Sequence, residues 1–147
     1  MADFDLTEEQ KLLQRTVREF AAAEIAPGAA SRDEAGTFPH ELIPKMAALK
    51  LFGIAIPEEY GGAGLGAMEV AIVLEEIARF EGAAALIVAS HNSLCTTHLY
   101  RFGNEAQRLR YVVPLAKGEK LGAWALTEPE SGSDASAMQT TAVLKGA

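Results

Sequence analysis

Residues Ala125 to Asp134 read ALTEPESGSD. The ten positions hold one proline, one glycine, one threonine, two serines and three acids, and no lysine or arginine. They directly follow the apolar run KLGAWAL, Lys120 to Leu126. Pro129 stiffens the backbone and Gly132 lets another molecule come close to it. Thr127, Ser131 and Ser133 supply hydroxyls. Neutral donors of this kind can hold a pyrophosphate or the polar rim of a heterocycle through backbone dipoles, without a cation. Trp124 adds a flat aromatic surface beside them. On composition alone, a well-capped β-turn satisfies the same residues.

The flanks of this loop differ in kind. LGAWAL (121–126) and QTTAVLK (139–145) are rich in aromatic and β-branched residues and read as strands. Everything upstream, to about residue 119, reads as helix. Thr7 and Gln10 have capping-box spacing. Leu13, Val17, Phe20 and Glu24 then share one side of a helix, which Pro27 and Gly28 should end near Ile25. A second helix runs from about His40 to Lys50 with Leu42, Ile43, Met46 and Leu49 as its stripe, and Pro44 must sit in its first turn. FGIAIPEEYGGAGLG (52–66) is a buried connection followed by a turn. Met68, Ala71, Ile72, Glu75 and Ala78 trace the next helix, broken at Gly82. AAALIVASHNSLCTTHLYRF (83–102) reads as a long, mostly buried helix with Gly103 as a left-handed cap. Asn104 and Gln107 repeat the capping box for a last helix to about Val113, which Pro114 bends or ends. The division is therefore 1–119 helical and 120–147 the start of a β domain. Two strands are marginal alone, so the β part is expected to be completed by further chain.

Size and charge narrow the class. The chain has 147 residues, 49% hydrophobic and 22% charged, which suits one folded domain with a sizeable core. A net charge of -7 argues against nucleic acid and anionic membrane as partners. GAAALIVA (82–89) is the longest uncharged apolar run, far short of the ~20 residues of a membrane span. One cysteine, Cys95, permits no internal disulfide, and the acidic N-terminal segment resembles no targeting peptide. A cytoplasmic location is the expectation.

Several chemistries can be weighed on spacing. Gly62, Gly64 and Ala67 match the G-x-G-x-x-A of a dinucleotide loop, with LFGIAI before and AAALIVAS after as conceivable strands. Against this, Pro57 to Tyr60 intervene, Glu58 and Glu59 would repel a pyrophosphate, and Ser90-His91-Asn92 offers no acid to a ribose. His91 and His98 are about 10 Å of helical rise apart, too far to share a metal. No metal site is expected. His40 is isolated. Cys95 reads as a small buried hydrophobe. Glu75 and Glu76, like Glu8 and Glu9, read as decoration of solvated helix faces. Neither Ser131 nor Ser133 lies in a G-x-S-x-G elbow.

The string Ala125 to Ala137, ALTEPESGSDASA, resembles the signature of the acyl-CoA dehydrogenase family: small, aliphatic, Ser/Thr, Glu, two free positions, small, Gly, Ser/Thr, Asp, two free positions, small. PEEYGGAGLG (57–66) is similar to a family turn. FGNEAQRLRYVVPLAKGEKLGAWALTEP (102–129) resembles the stretch that joins the family's helical and β domains. SHNSL (90–94) is similar to members acting on short or branched acyl chains. The resemblance implies a mainly α fold: the N-terminal helical bundle domain, followed by the first strands of an incomplete β-barrel. It implies FAD as cofactor. Trp124 and Leu126 would then lie along the flavin, Thr127 would bond its pyrimidine edge, and Gly132 and Ser133 would approach the pyrophosphate. Ser133 would also touch the acyl-CoA substrate.

The implied reaction is α,β-dehydrogenation of an acyl-CoA thioester, with hydride passing to FAD and onward to an electron-transfer flavoprotein, in a homotetramer. The family's catalytic glutamate would lie beyond Ala147, so no catalytic residue is assigned here, and the 147 residues alone are expected to be inactive. Glu128 belongs to the signature and is expected to shape the loop. Glu130 departs from the small residue usual at its position. Two other readings stay open: an oxygen-using relative (acyl-CoA oxidase or flavin monooxygenase), and a helical binding module without redox chemistry.

Overall fold

A computed structural model describes residues 5–145. The chain is mainly α. Helix α1 spans Glu8–Phe20. Thr7 caps it: the Thr7 Oγ1 accepts from the Gln10 N–H at 3.2 Å, and the Gln10 Oε1 accepts from the Thr7 N–H at 3.0 Å. The helix does not stop near Ile25. It passes through a π-helical turn, Ala21–Ile25, into α2, Ala26–Ala35. The Ala26 N–H reaches back to the Ala21 carbonyl, so the ladder is already stretched where Pro27 brings no N–H. The true stop is Gly36, with φ 61°.

Helix α3, Leu42–Ala48, carries Pro44 in its first turn as expected. Leu42 and Met46 are buried, whereas Leu49 is 39% exposed and lies outside the stripe. Residues 51–56 form a buried connection, and Glu58–Tyr60 make one 3₁₀ turn. Gly62 has no room for a side chain: a Cβ there would sit 2.0 Å from the Ile56 carbonyl oxygen.

Helix α4, Ala67–Ala78, buries Ile72, Val73, Glu76 and Ile77. Of the residues the sequence pattern picked out, Ile72 alone lies on this face: Met68 is 56% exposed. Glu76 explains the difference. Far from decorating a solvated face, its carboxylate is fully buried and gripped in a fork by Arg18, Nε to Oε2 at 2.8 Å and Nη2 to Oε1 at 2.7 Å. A second tie runs from the Gln10 Nε2 to the Glu69 Oε1 at 2.8 Å. Residues 10 and 18 thus pair in order with 69 and 76, so α1 and α4 run parallel. The core between them gathers Val17, Ala21, Ile25, Phe52, Val73, Ile77 and Val88.

The helix is interrupted ahead of Gly82 as expected, at residues 79–81, and Gly82 itself opens the next helix. Helix α5, Gly82–Ala89, continues through a π-helical stretch, Ser90–Thr96, into α6, Thr97–Phe102. Gly103 has φ -75° and is not left-handed. It is glycine for want of space, since a Cβ would meet the Leu99 carbonyl oxygen at 2.5 Å. Asn104 and Gln107 form the expected reciprocal cap of α7, Glu105–Gln107. A third π-helical turn, Arg108–Val112, leads into α8, Val113–Ala116. Pro114 again falls just after the widened turn, and the helix runs on past it.

The segments expected as strands, 121–126 and 139–145, form no ladder among the described residues. One antiparallel bridge pairs Glu128 with Ser131, and a single 3₁₀ turn spans Ala135–Ala137. Leu121, Val143 and Leu144 stay exposed. Two short segments with no third strand and no face to bury cannot hold a sheet.

The π-helical stretch Ser90–Thr96 supplies the main polar joints. Asn92, 3% exposed, accepts the Ile54 N–H at 3.1 Å and donates to the carbonyls of Leu51 at 2.8 Å and Val88 at 2.9 Å. His91, 1% exposed, has its Nδ1 3.0 Å from the Gly122 N–H and its Nε2 3.1 Å from the Leu115 carbonyl. Nδ1 must accept, so Nε2 carries the proton and the ring is neutral.

Two measurements check this packing. Glu76→Gln should cost about 1.5–3 kcal/mol, the value of a charged hydrogen bond, and Arg18→Met should cost more because it strands a buried carboxylate. Urea midpoints read both, and a parent-like Arg18→Met would refute the account. Burial holds the His91 ring below its ordinary pKa. The unfolded chain therefore takes up a proton that the folded one refuses once pH drops below about 6.5. Stability should fall from there downward, by at most about 1.4 kcal/mol per pH unit from this group, and His91→Asn should flatten that slope.

Candidate functional site

The sequence singled out Trp124, Leu126, Thr127, Gly132 and Ser133, and the structure sets them on one short stretch that emerges from the helical body. Its approach is governed by α5, its π-helical extension and α6. His91, Cys95 and His98 stand at i, i+4 and i+7; the first two meet Gly122 of the incoming chain and the third meets Trp124. The His91 ring takes the Gly122 amide. Cys95 lies against Gly122, where a Cβ would be 2.5 Å from the sulfur. Burial raises the pKa of this thiol, so it is a packing group. The His98 ring meets the Trp124 indole edge-on, centroids 4.4 Å apart. Trp124 and Leu126 remain 38% and 37% exposed.

Beyond Leu126 the chain folds on itself. Glu128 and Ser131 exchange backbone bonds, N to O at 2.7 Å and 3.2 Å, around Pro129 and Glu130. Glu130 keeps a negative φ, as a type I turn requires. The buried Ser131 hydroxyl donates to the Asp134 carbonyl at 2.9 Å, and the Asp134 carboxylate accepts from the Ser136 N–H at 3.1 Å. The Glu128 carboxylate accepts the N–H groups of Gln139 at 2.8 Å and Thr140 at 3.2 Å. These bonds, with the Thr140 side chain first among them, hold its pKa below the usual carboxylate value. Glu128 therefore shapes the loop and is no candidate proton acceptor for a substrate.

Thr127 and Gly132 lie side by side across this turn: a Cβ on Gly132 would be 3.9 Å from the Thr127 methyl. Ser133 is exposed at the same end. Among the described residues, no hydrogen bond engages the backbone N–H groups of Thr127, Gly132 and Ser133 or the hydroxyls of Thr127 and Ser133. An open row of neutral donors, preceded in the chain by the exposed Trp124 ring, fits a polar heterocycle joined to a phosphate.

Other candidates fall away on geometry. The Gly62–Gly64 loop spends its amides internally: Gly62 on the Pro57 carbonyl, Ala63 on Gly53 and Gly64 on Ile56. No pyrophosphate can use them, and the would-be second strand is helix α5. A cleft of about 470 Å³ lies apart, lined by Arg32, Asp33, Thr37, Phe80 and Glu81. Its guanidinium is already taken by Glu81, by Glu41 and by the Ile25 carbonyl. Sequence reading missed the roles of His91 and His98 toward the loop. Their spacing on one helix face was visible, but nothing local marks which chain crosses that face.

Comparison with known proteins agrees with the geometry. The family described as acyl-CoA dehydrogenase, N-terminal domain, matches residues 7–119. The short-chain specific acyl-CoA dehydrogenase of Clostridium acetobutylicum is 46% identical over 144 residues, covering 98% of this chain and 38% of that protein. Among solved structures, a chain described under the electron transferring flavoprotein of Acidaminococcus fermentans superposes with TM-score 0.92 at 43% identity, covering 99% of this chain and 38% of the other. An acyl-CoA dehydrogenase complexed with FAD from Bacillus anthracis gives TM-score 0.84 at 36% identity, covering 94% and 24%. The chain thus spans less than two fifths of the length of these relatives. With the family model matched over residues 7–119 and 98% of the chain aligned at 46% identity, the chain belongs to the acyl-CoA dehydrogenase family.

Proposed function

We propose that this chain is the N-terminal part of an FAD-dependent acyl-CoA dehydrogenase acting on short or branched acyl-CoA thioesters. The observation that carries the reading is the open donor row of Thr127, Gly132 and Ser133, which follows the exposed Trp124 in the chain. Trp124 and Leu126 would flank the flavin. The Thr127 hydroxyl and N–H would bond the flavin's pyrimidine edge and favour negative charge there. Gly132 and Ser133 would take the pyrophosphate, and Ser133 would reach the acyl-CoA as well. FAD, when bound, supplies the acceptor for a hydride from the substrate's β carbon. This chain's own residues hold and orient both molecules. The Glu128 carboxylate is committed to backbone amides, so the base that removes the α proton is assigned to no residue described here.

The short-chain preference draws on the name of the Clostridium relative. The flavin draws on the Bacillus complex, and an electron-transfer flavoprotein as acceptor on the description of the Acidaminococcus structure. Residues 1–119 would be the helical domain and 120–147 the opening of a β domain, in a cytoplasmic homotetramer. Residues 146–147 lie outside the described residues. No described helix is long and apolar enough to cross a membrane.

Two variants of the whole protein test the site. Thr127→Ala should weaken FAD about 5- to 10-fold, the worth of one hydrogen bond. Gly132→Val should abolish flavin retention while leaving the melting temperature near that of the parent, because its Cβ meets only ordinary contacts. Parent-like flavin binding in both would leave only the helical binding module. Reduction of an artificial electron acceptor by a short acyl-CoA, with little oxygen uptake, is the expected activity; rapid oxygen uptake would select the oxidase reading. The 147 residues alone should show no turnover.

A further inference from the structure

The loop's donors can serve only if the chain that delivers them arrives at a fixed height and angle. Two contacts on the helical body fix those two quantities. The His91 imidazole spans the connection after α8: its Nε2–H holds the Leu115 carbonyl and its Nδ1 holds the Gly122 amide. The ring cannot slide, because Phe52 abuts it with centroids 4.8 Å apart. Gly122 cannot slide either, pressed against Cys95 where even a methyl group would not fit. Two residues further on, His98 meets the Trp124 ring at an interplanar angle of 66°. His98 is itself exposed, so it carries no weight in the core.

We propose that His91 and His98 are positioning residues for the flavin site, His91 setting the level of Gly122 along the helix and His98 setting the plane of the Trp124 ring. The proposal rests on the reading of Trp124 to Ser133 as the flavin's edge. A buried ring with both nitrogens used accounts for more than packing, since Phe would fill the same space. An exposed ring against Trp124 restricts two side-chain torsions that solvent would leave free.

Asparagine places an oxygen near the Nδ1 position, and glutamine places an amide nitrogen near Nε2. In the flavin-free intact protein, hydrogen exchange of the peptide carrying Gly122 should quicken about tenfold or more in His91→Gln and His91→Phe, and return toward the parent in His91→Asn. The dissociation constant for FAD should rise about tenfold in His91→Gln and in His98→Leu, and stay within about threefold in His91→Asn. Unchanged exchange in His91→Gln overturns the proposal. So does faster exchange with parent-like FAD affinity in a background where Thr127→Ala weakens FAD, because His91 is then only structural. If Thr127→Ala binds FAD like the parent, the flavin-edge reading fails first and takes this inference with it.

Discussion

Two adjacent buried side chains, Asn92 and His91, tie two separate connections of the chain to one helical stretch. Asn92 saturates the backbone of the Leu51–Ile54 connection, and His91 saturates the carbonyl of Leu115 and the amide of Gly122. Without Asn92, the buried Ile54 N–H and Leu51 carbonyl would lose their partner, each at a cost on the order of 1–3 kcal/mol, and without His91 the part-buried Gly122 N–H would lose its own. Loops that cross a protein interior are rare for this reason. Here the crossing is possible because one widened helical stretch, Ser90–Thr96, faces both connections. The helical body and the donor loop therefore share a single joint.

Around that joint the packing follows ordinary rules. Parallel helices α1 and α4 are tied at both ends, by Gln10 to Glu69 and by Arg18 to Glu76. The second tie is a fork with one partner at the rim, its arginine side chain 45% exposed. A half-wet guanidinium keeps much of its hydration, so the desolvation cost falls mainly on Glu76. Geometry is the gain: a bidentate pair sets the rotation of each helix about its axis in a way that apolar contact alone does not.

Local chemistry was legible in the sequence, and distant chemistry was not. Both capping boxes could be read from Thr7–Gln10 and Asn104–Gln107, because a cap depends on residues three apart. The signature loop could be read for the same reason, down to Glu128 as a shaping residue. The inner face of α4 could not. Glu76 looks solvated until Arg18, 58 positions earlier, is brought to it by the fold. Gly103 was misread because glycine marks either a positive φ or a close approach, and only the Leu99 carbonyl shows which. Pro27 reads as a stop, and Pro114 as a bend or a stop, because a regular ladder has no place for them; the π-helical turns ahead of each make one. The role of His91 needed the path of residues 115–122, which no local pattern announces.

Those stretched turns have a bearing on how the chain tolerates change in length. A five-residue hydrogen-bonded step holds one residue more than the regular ladder, so Ala21–Ile25 stores a spare position inside a continuous rod. Losing that position would let the ladder close to its regular step and leave the later side chains of the rod in phase, because the widened turn spreads one turn's rotation over one residue more. Arg32 would keep its side of the rod and its bond to Glu81, but Pro27 would face an intact ladder that expects an N–H there. The extra residue thus works as slack that makes room for a proline, and a deletion there would be a shortening that leaves the second half of the rod aimed as before.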